Sequence, residues 1–428
     1  MFLNRKSHHL LTVLATAGIA LAMALVFLPS VSGTAEGSAY RSSGNQGDVS
    51  RLQSKVWYLA EGYTAGDFDT WVLVQNPGDE DVDVTMEFQL PEGASAEPYA
   101  FTLPANTRES VLLDDLPGLA ATEVSTTVTS TSDIYVQRSM YFDYREARGG
   151  TGTFGSVCPD FDWYFAEGYT GGLFDTFILV QNPGGSAAQV TMDFHLPAGV
   201  SAEPHTLEVP PFSRRTVKLN DLPGLGSTDV STRVTATEPV VAERAMYWGE
   251  MTPLGQACHG TIGMTDTHNT FYFPDGQTSD GRETYTLVQN PNSGPVEVQI
   301  SCLSTEGKIE VTFTEVIPGG SRRTYPLADM IEENRASTIV ECKTPGKRVG
   351  TTAAPAPAPS AASRTDPSKR AKGARPHCVI KRANGARHHW RVFRRWCLVA
   401  LLHFGCIACK MGAWDDHIEP SSQMLYTP

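Results

Sequence analysis

Apolar and polar residues alternate with a period of two in several stretches of the chain. The clearest stretch runs from Ala188 to Leu196, where alternate positions are apolar and the intervening positions are polar or charged. Residues 82–90 and 296–302 repeat the pattern. This period predicts strands with one buried face. No stretch shows a long 3.6-residue period, so we expect an all-β fold.

Further strands are predicted around this alternating stretch. The run from Phe177 to Val180 is apolar on both faces and ends at the turn signal Asn182-Pro183-Gly184-Gly185. Two strands separated by such a turn predict a hairpin. Additional strands are expected at Thr206–Val209, Thr216–Leu219, Asp229–Thr235 and Val240–Tyr247. Prolines between them mark turns and edges, because proline is excluded from central strands.

These patterns belong to a unit that occurs three times. WYLAEGYT at 57–64 returns as WYFAEGYT at 163–170 and, more weakly, as FYFPDGQT at 271–278. The triplet QNP recurs at 75–77, 181–183 and 289–291, so both markers step by 106 and then 108 residues. This period suits a sandwich domain of about 100 residues. We therefore predict three tandem immunoglobulin-like antiparallel β-sandwich repeats of about seven strands each.

The chain divides accordingly. The repeats occupy 55–150, 161–254 and 269–349, and joints lie at 151–160 and 255–268. The third repeat is expected to be incomplete, because Ala353-Ala354-Pro355 stands where the others close with RSMYF or ERAMYW. Residues 40–54 form a linker, and 350–428 are expected to be a Pro/Ala linker and a basic tail.

Two explanations of 350–428 remain open. One is a spacer followed by a basic, Trp-containing segment that binds an anionic wall polymer or lipid surface. The other is a reading-frame slip near residue 350, which accounts for the break inside a strand, the switch in charge and the scattered cysteines.

Residues 1–39 have the features of an export signal. Arg5 and Lys6 precede an apolar run at residues 10–28, and small residues follow. Cleaved export is the first interpretation, and an uncleaved membrane anchor through residues 10–28 is the alternative. In either case the segment engages the membrane during export. We expect the protein to be extracellular or attached to the cell surface.

Charge narrows the range of partners. Residues 350–428 contain twelve Lys and Arg and four Asp and Glu, so their net charge is +8. Because the whole chain has a net charge of −13, the remaining residues carry −21. An acidic ectodomain has no electrostatic reason to bind nucleic acid. The expected partners are a cell-envelope glycan or a surface protein.

Acidic residues recur in all three units at two places. One set is Glu61, Glu167 and Asp275, and the other is Asp69, Asp175 and Glu283. Two carboxylates and loop carbonyls form a weak candidate Ca²⁺ site, and no other cofactor is expected. The commoner explanation is pairing with the retained arginines, which fixes a loop. Those arginines are Arg108, Arg214 and Arg322, together with Arg138 and Arg244.

Aromatic and cysteine residues provide further candidates. Trp57, Tyr63, Trp163 and Tyr169 are candidate ligand-facing aromatics that could stack on sugars, although such residues more often pack in a core. Cys302 and Cys342 lie at inward positions of the third repeat. Export favours a disulfide between them, and two buried thiols are the alternative.

Catalytic residues are not expected in this chain. His195 and His205 have no equivalents in the other units, and the repeats contain no nucleophile elbow, His-pair metal motif or phosphate loop. Paired carboxylates could hydrolyse glycosides, but the same pair in three small units favours structure or binding.

The combined motifs WYFAEGYT, QNP and ERAMYW resemble a family of bacterial secreted repeats, of actinobacterial type, classed as a domain of unknown function. The resemblance covers residues 57–349. It implies an extracellular, non-enzymatic setting. Our leading interpretation is an adhesive, scaffold or spacer of the cell envelope. Alternatives are an array that binds cell-wall glycan, or an accessory region of a truncated cell-wall hydrolase.

Overall fold

The computed structural model describes residues 54–144, 147–249, 257–279, 282–304, 309–332 and 335–357. Regular structure in these residues consists of antiparallel strands and short 3-10 turns at Leu113–Asp115, Leu219–Asp221 and Leu327–Asp329, which confirms the all-β prediction. The same residues contain no helix of the length and apolarity that a membrane span needs. The export signal, most of the 40–54 linker and the tail after 357 lie outside the described residues.

Residues 54–154, called block 1, form a continuous seven-stranded sheet system. Its strands are β1 (Ser54–Leu59), β2 (Phe68–Asn76), β3 (Val82–Gln89), β4 (Tyr99–Leu103), β5 (Thr107–Leu112), β6 (Ser125–Tyr144) and β7 (Ala147–Phe154). The first half of β6 pairs with β1 and β3, and β4 extends that layer. The second half pairs with β2 and β7, and β5 extends the other layer.

Residues 160–262, called block 2, repeat this order. Its strands are β8 (Asp160–Phe165), β9 (Phe174–Asn182), β10 (Ala188–His195), β11 (His205–Val209), β12 (Ser213–Lys218), β13 (Ser231–Trp248) and β14 (Ala257–Ile262). The predicted joints are therefore partly regular: residues 151–154 belong to β7, and 257–262 belong to β14.

A single long strand links the two layers of block 2. The predicted strands at 229–235 and 240–247 are one continuous strand, β13, which pairs with β10 through 231–236 and with β9 through 241–248. The register to β8 shifts between Thr235 and Val240. Pro239 lies in this corner, where its missing N–H removes no ladder hydrogen bond.

The predicted hairpin between the strands around Asn182 is wrong. β9 pairs with β12 and β13, whereas β10 pairs with β11 and β13, so the turn carries the chain from one layer to the other. The buried Asn182 amide fixes this corner by donating to the carbonyls of Ser186, Val209 and Pro210 at 2.8–3.0 Å. Asn76 and Asn290 make equivalent bonds, which explains the repeated QNP triplet.

Residues 270–357, called block 3, form two separate sheets. The strands are β15 (Thr270–Phe273), β16 (Arg282–Asn290), β17 (Val296–Ser304), β18 (Ile309–Ile317), β19 (Ser321–Pro326), β20 (Ala336–Cys342) and β21 (Gly350–Pro357). Their orders are β15-β20-β17-β18 and β19-β16-β21. The long strand of the other blocks is thus divided into β20 and β21.

The predicted end of the third unit at residue 349 is also wrong. β21 pairs with β16 over eight residues, from Gly350 opposite Gln289 to Pro357 opposite Arg282. The Ala/Pro stretch, expected to be a linker from residue 350, therefore begins as the closing strand. Its backbone substitutes for the second half of β13, although prolines stand at two of its positions. Within the described residues, no strand occupies the place that β7 and β14 take in the other blocks.

Each block encloses its own apolar core. The inward residues Val72 and Val74 of β2, Ile178 and Val180 of β9, and Val288 of β16 are at most 1% exposed. They pack against inward residues of the opposite layer, in three separate clusters. The opposite face of β9 and β16 is also buried, and it is covered by the preceding block. This second burial brings the repeated charged residues together.

Candidate functional site

Glu61 lies in a buried charge cluster between blocks 1 and 2. The glutamate follows β1, and the next residue, Gly62, accepts a hydrogen bond from the Val124 amide through its carbonyl. A Cβ at Gly62 would lie 2.6 Å from the Val124 carbonyl oxygen, so only glycine permits this approach. The Glu-Gly pair therefore places the carboxylate at the end of the block, where it faces block 2.

Two carboxylates share the Arg138 guanidinium in this cluster. Arg138 Nη2 donates to Glu243 Oε1 of block 2 at 2.6 Å. The same Nη2 lies 3.0 Å from Glu61 Oε2, close enough for an ion pair but not aligned as a hydrogen bond. Glu243 Oε2 accepts from the Glu61 backbone N–H at 2.9 Å, and the Tyr247 hydroxyl donates to Glu61 Oε1 at 3.0 Å. The predicted acid–arginine pairing is present, and it joins two blocks.

Burial in this cluster affects the proton affinity of Glu61. Desolvation raises the pKa of the Glu61 carboxyl; the attraction of Arg138 opposes this rise, and the nearby Glu243 carboxylate adds to it. The net direction is upward, because one guanidinium is divided between two buried carboxylates.

Glu167 occupies the equivalent position in block 2 but has different partners. Arg244 Nη2 donates to Glu167 Oε2 at 2.7 Å, and His259 Nδ1 of β14 lies 2.5 Å from the same oxygen. Burial raises the pKa of Glu167, but Arg244 and His259 outweigh it and lower the pKa to about 2. Among the described residues no second carboxylate shares Arg244, because Thr352 of block 3 holds the ladder position of Glu243.

A second set of arginines joins each block to the preceding one. Arg214 of β12 donates to Glu123 Oε2 of block 1 at 2.6 Å, and its backbone N–H donates to the Leu90 carbonyl at 3.3 Å. Arg322 of β19 pairs with Asp229 of block 2 at 2.6 Å, and its N–H donates to the Leu196 carbonyl at 3.2 Å. Interfaces 1/2 and 2/3, the contacts between successive blocks, therefore share one construction.

Amide side chains complete both interfaces. The Gln181 amide donates to Gln89 Oε1 at 2.6 Å, and Gln289 Nε2 lies 2.7 Å from His195 Nδ1. Both glutamines come from the QNP triplet and are fully buried. His195, which has no histidine equivalent in the other units, is therefore an interface residue, and burial lowers its pKa.

The other repeated acids do not converge on these glutamates. Asp69 is exposed. Asp175 accepts from the Tyr144 hydroxyl of block 1 at 2.9 Å and lies 2.8 Å from Lys218 Nζ. Glu283 is buried and accepts the Ala328 amide at 3.1 Å. Asp275 is 82% exposed, with Arg335 at 3.9 Å.

The calcium prediction for these six acids is therefore not supported by their geometry. In each pair the two carboxylates have different surroundings. The described part of the chain contains no group of three or more His, Cys, Asp or Glu residues arranged to hold a metal ion.

Two of the four candidate ligand-facing aromatics are core residues. Trp57 and Trp163 are 1% exposed, and their indole N–H groups donate to the carbonyls of Ile134 and Val240. The prediction is wrong for both, because the alternation of the first strand turns these rings inward. Tyr63 and Tyr169 are partly exposed, each with an edge-to-face contact to Phe68 or Phe174.

The predicted disulfide between Cys302 and Cys342 is incompatible with the strand register. Cys302 stands opposite Thr338, and Cys342 stands opposite Val298, so the two cysteines are four ladder positions apart. Four positions correspond to about 13 Å along a strand, well beyond the reach of a disulfide. Cys342 is a free thiol whose pKa is raised by burial.

Sequence reasoning did not identify several interface residues. Glu123 and Asp229 are acidic at equivalent places of two units, but no local motif marks them as interface residues. Glu243 and Tyr247 were noted only as parts of a motif. The signal that could have found them is the repetition of polar residues on strand faces that alternation alone assigns to solvent.

Comparison with known proteins gives one family match. Residues 259–356 match the model of a family of unknown function (DUF5719), which agrees with the expected resemblance to an uncharacterised domain. The matched segment begins in β14 and ends within β21. No curated protein matches the chain.

Two solved structures show weak likeness. "Crystal Structure of Thermotoga maritima 1070" is 16% identical, with a TM-score of 0.23, and covers 24% of this chain and 93% of its own. "Anabaena sensory rhodopsin transducer" is 30% identical, with a TM-score of 0.18, and covers 20% of this chain and 93% of its own. At these TM-scores neither likeness bears on fold or activity.

Proposed function

We propose that this chain is a secreted or cell-surface, non-enzymatic scaffold of the bacterial cell envelope, built from three tandem β-sandwich modules with fixed orientations. The observation that carries this proposal is the burial of the repeated acids and arginines between blocks. Side chains that a ligand-binding array would present to solvent hold one module against the next instead.

The density of specific contacts supports fixed orientations. Interface 1/2 combines the Glu61–Arg138–Glu243 cluster, the Arg214–Glu123 pair and the Gln181–Gln89 amide pair. An apolar patch beside them includes Phe68, Phe142 and Tyr247. Buried pairs of this kind specify one geometry, because separating the blocks leaves charges without partners. Such a chain is suited to hold attached parts at a set distance and angle.

Distances between spin labels test this fixed geometry. The labels are placed on cysteines introduced at Tyr99 of block 1 and Val200 of block 2, and Cys158, Cys378, Cys397, Cys406 and Cys409 are replaced by serine so that they take no label. One narrow distance distribution is expected. Arg138→Met should broaden the distribution while leaving each block folded. A broad distribution for the parent protein would contradict the scaffold proposal.

A glycan-binding array is the second candidate, because Tyr63 and Tyr169 remain partly exposed at equivalent positions. Retention of the full chain on purified cell-wall glycan, with and without Ca²⁺, separates the candidates. The scaffold proposal expects no saturable retention and no release of glycan fragments. Retention lost in Tyr63→Ala/Tyr169→Ala would favour the glycan array, and turnover of the glycan would exclude a non-enzymatic function.

A further inference from the structure

The outward face of β2, β5 and β6 in block 1 has no cover within the described residues. This outer face carries Trp71, Leu73, Gln75, Arg108 and Tyr141. Part of it forms an open depression of about 430 Å³, lined by Trp71, Leu73, Arg108, Ser110, Ser139 and Tyr141. Arg108 and Gln75 are exposed, and Tyr141 is 54% exposed.

The equivalent faces of blocks 2 and 3 are buried. Gln181 and Gln289, which correspond to Gln75, are fully buried, and Arg214 and Arg322, which correspond to Arg108, are 1% and 2% exposed. Tyr247, at the ladder position of Tyr141, is 6% exposed. In both blocks the cover is the preceding block. Block 1 therefore carries a face of the same construction without a preceding block among the described residues.

The two covered faces define what such a cover must present. Arg214 and Arg322 each bind one carboxylate, from Glu123 or Asp229, and their backbone N–H groups bind the carbonyl of Leu90 or Leu196. The glutamine beside each arginine binds Gln89 or His195. A cover for Arg108 and Gln75 thus needs an acidic side chain, a strand-end carbonyl and a side chain with a hydrogen-bond acceptor.

We propose that the outer face of block 1 docks a further β-module of this same repeat type, carried by a different protein, with an acidic residue at the Glu123 position. This inference rests on the proposed scaffold function and deepens it by naming the partner. The acidic residue of the partner module forms an ion pair with Arg108, as Glu123 does with Arg214. The scaffold thereby joins a chain of modules that extends across two polypeptides.

The last block of a second copy of this chain does not meet these requirements. Arg335 holds the bridge position of Glu123 and Asp229, and Leu303 follows the strand position of Gln89 and His195. Docking block 3 of one copy on block 1 of another would set Arg335 against Arg108 and an alkyl group against Gln75. Like charges brought together in an interface disfavour association. Block 3 of a second copy is therefore excluded as the occupant, which leads us to assign the face to a module from another protein.

Arg335 and Leu303, the two block 3 residues that do not fit the docking face, provide a test with the full chain. Leu303→Gln/Arg335→Glu places a hydrogen-bond acceptor and a carboxylate at the end of block 3. This variant therefore carries both the outer face of block 1 and an end of block 3 that is complementary to it. Sedimentation velocity over a concentration series should show the parent as a monomer and the variant as head-to-tail oligomers. Adding Arg108→Glu to the variant should weaken association by at least about 30-fold, since it places two buried acids together.

The oligomeric state of these variants decides whether the outer face of block 1 is a docking surface. A variant that stays monomeric while melting at the parent temperature would overturn the proposal, as would oligomers that persist after Arg108→Glu. Arg335→Asp alone, at an exposed position, serves if the double variant does not fold. Parent chains that associate through Arg108 would overturn the choice of a different protein as partner. Spin-label distances within one chain are unaffected by these results, so failure here is distinct from failure of the scaffold proposal.

Discussion

Glu61 and Glu167 occupy the same place in two repeats and are both buried, yet the net pKa shifts of their carboxyls have opposite signs because their charged partners differ. Glu61 shares its arginine with Glu243, and its pKa is raised. Glu167 contacts both Arg244 and His259, and these two groups lower its pKa to about 2. One sequence motif therefore makes opposite contributions to the pH dependence of stability.

Glu167→Gln is expected to remove an acid-sensitive part of the stability. A carboxyl whose folded pKa is depressed stabilises the fold above its unfolded pKa, and this stabilisation is lost as pH falls from about 4.5 to about 2. The shift corresponds to about 3 kcal/mol at neutral pH. Urea unfolding from pH 7 to pH 2 should show the parent losing this amount and the variant losing less. Asp162→Asn, in the half-exposed Arg233 pair, is the control and should change stability by less than about 1 kcal/mol.

Glu61→Gln should act in the opposite direction. A carboxyl with a raised folded pKa stabilises the fold below its unfolded pKa, and that contribution is lost as pH rises through the folded pKa. Glutamine keeps an acceptor for Tyr247 and removes the repulsion from Glu243. The variant should melt at a higher temperature than the parent at pH 7 and at nearly the same temperature at pH 4. A lower Tm at pH 7 would show that Glu61 is held as a favourable ion pair.

The register around Cys302 and Cys342 leads to a chemical prediction. Digestion of the alkylated, unreduced protein should yield no peptide that links these two residues. The peptide that contains Cys302 and the peptide that contains Cys342 should each have the same mass whether or not the protein is reduced before alkylation. A linked peptide would mean that β17 and β20 pair in a register different from the one described.

At the scale of elements, alternation was sufficient to locate most strands but not to assign their partners. The strands at 82–89, 188–195 and 296–304 were found because one face of each lies in a core. The hairpin at Asn182 was mispredicted because a Pro-Gly turn looks the same in sequence whether it joins neighbours or crosses between layers. Only the side-chain bonds of Asn182, which depend on distant strands, distinguish the two.

The candidate site was only partly predictable for a related reason. Repetition identified Glu61, Glu167 and the arginines, but the partner of each acid lies 77 or more residues away, and for Glu61 it includes the next block. Spacing within a loop suggested calcium, whereas the pairing depends on how blocks pack. Trp57 and Trp163 were misassigned because the first strand is too short for its alternation to reveal which face is inside.

Close contact between β7 and β14 at interface 1/2 gives an element-scale prediction. A Cβ at Gly260 would lie 3.1 Å from Thr151 Oγ1, 3.5 Å from Arg138 Nη2 and 3.6 Å from Glu61 Oε2. Gly260→Val should therefore force the strands apart and increase amide exchange in both β7 and β14. Gly294→Val, at a position where a Cβ meets nothing within 4 Å, is the matched control and should leave exchange unchanged. Exchange altered equally by both variants would indicate a general loss of stability.

At the scale of the whole molecule, each block is both a folded unit and half of an interface. Block 2 uses one face to contact block 1 and its opposite end to contact block 3, and in the part of the chain that the structure describes the two contacts share no arginine. We expect Arg214→Ala to lower the unfolding temperature of blocks 1 and 2 together, because it removes the cation that pairs with Glu123 and the N–H that donates to the Ser125 hydroxyl. Calorimetry with exchange mass spectrometry should show block 3 retaining its protection at the first transition. Simultaneous loss of protection in all three blocks would indicate a single cooperative unit.

The dependence of each block on its predecessor sets an order for folding. Synthesis proceeds from the N-terminus, so the end of block 1 that carries Glu61 and Glu123 emerges before Arg214, Glu243 and Tyr247 do. The apolar and charged face of block 2 thus meets a finished template as soon as it forms, and block 3 meets block 2 in the same way. A nascent chain with this arrangement never has to expose a completed but uncovered second or third module, which limits misassembly between neighbouring chains of identical sequence.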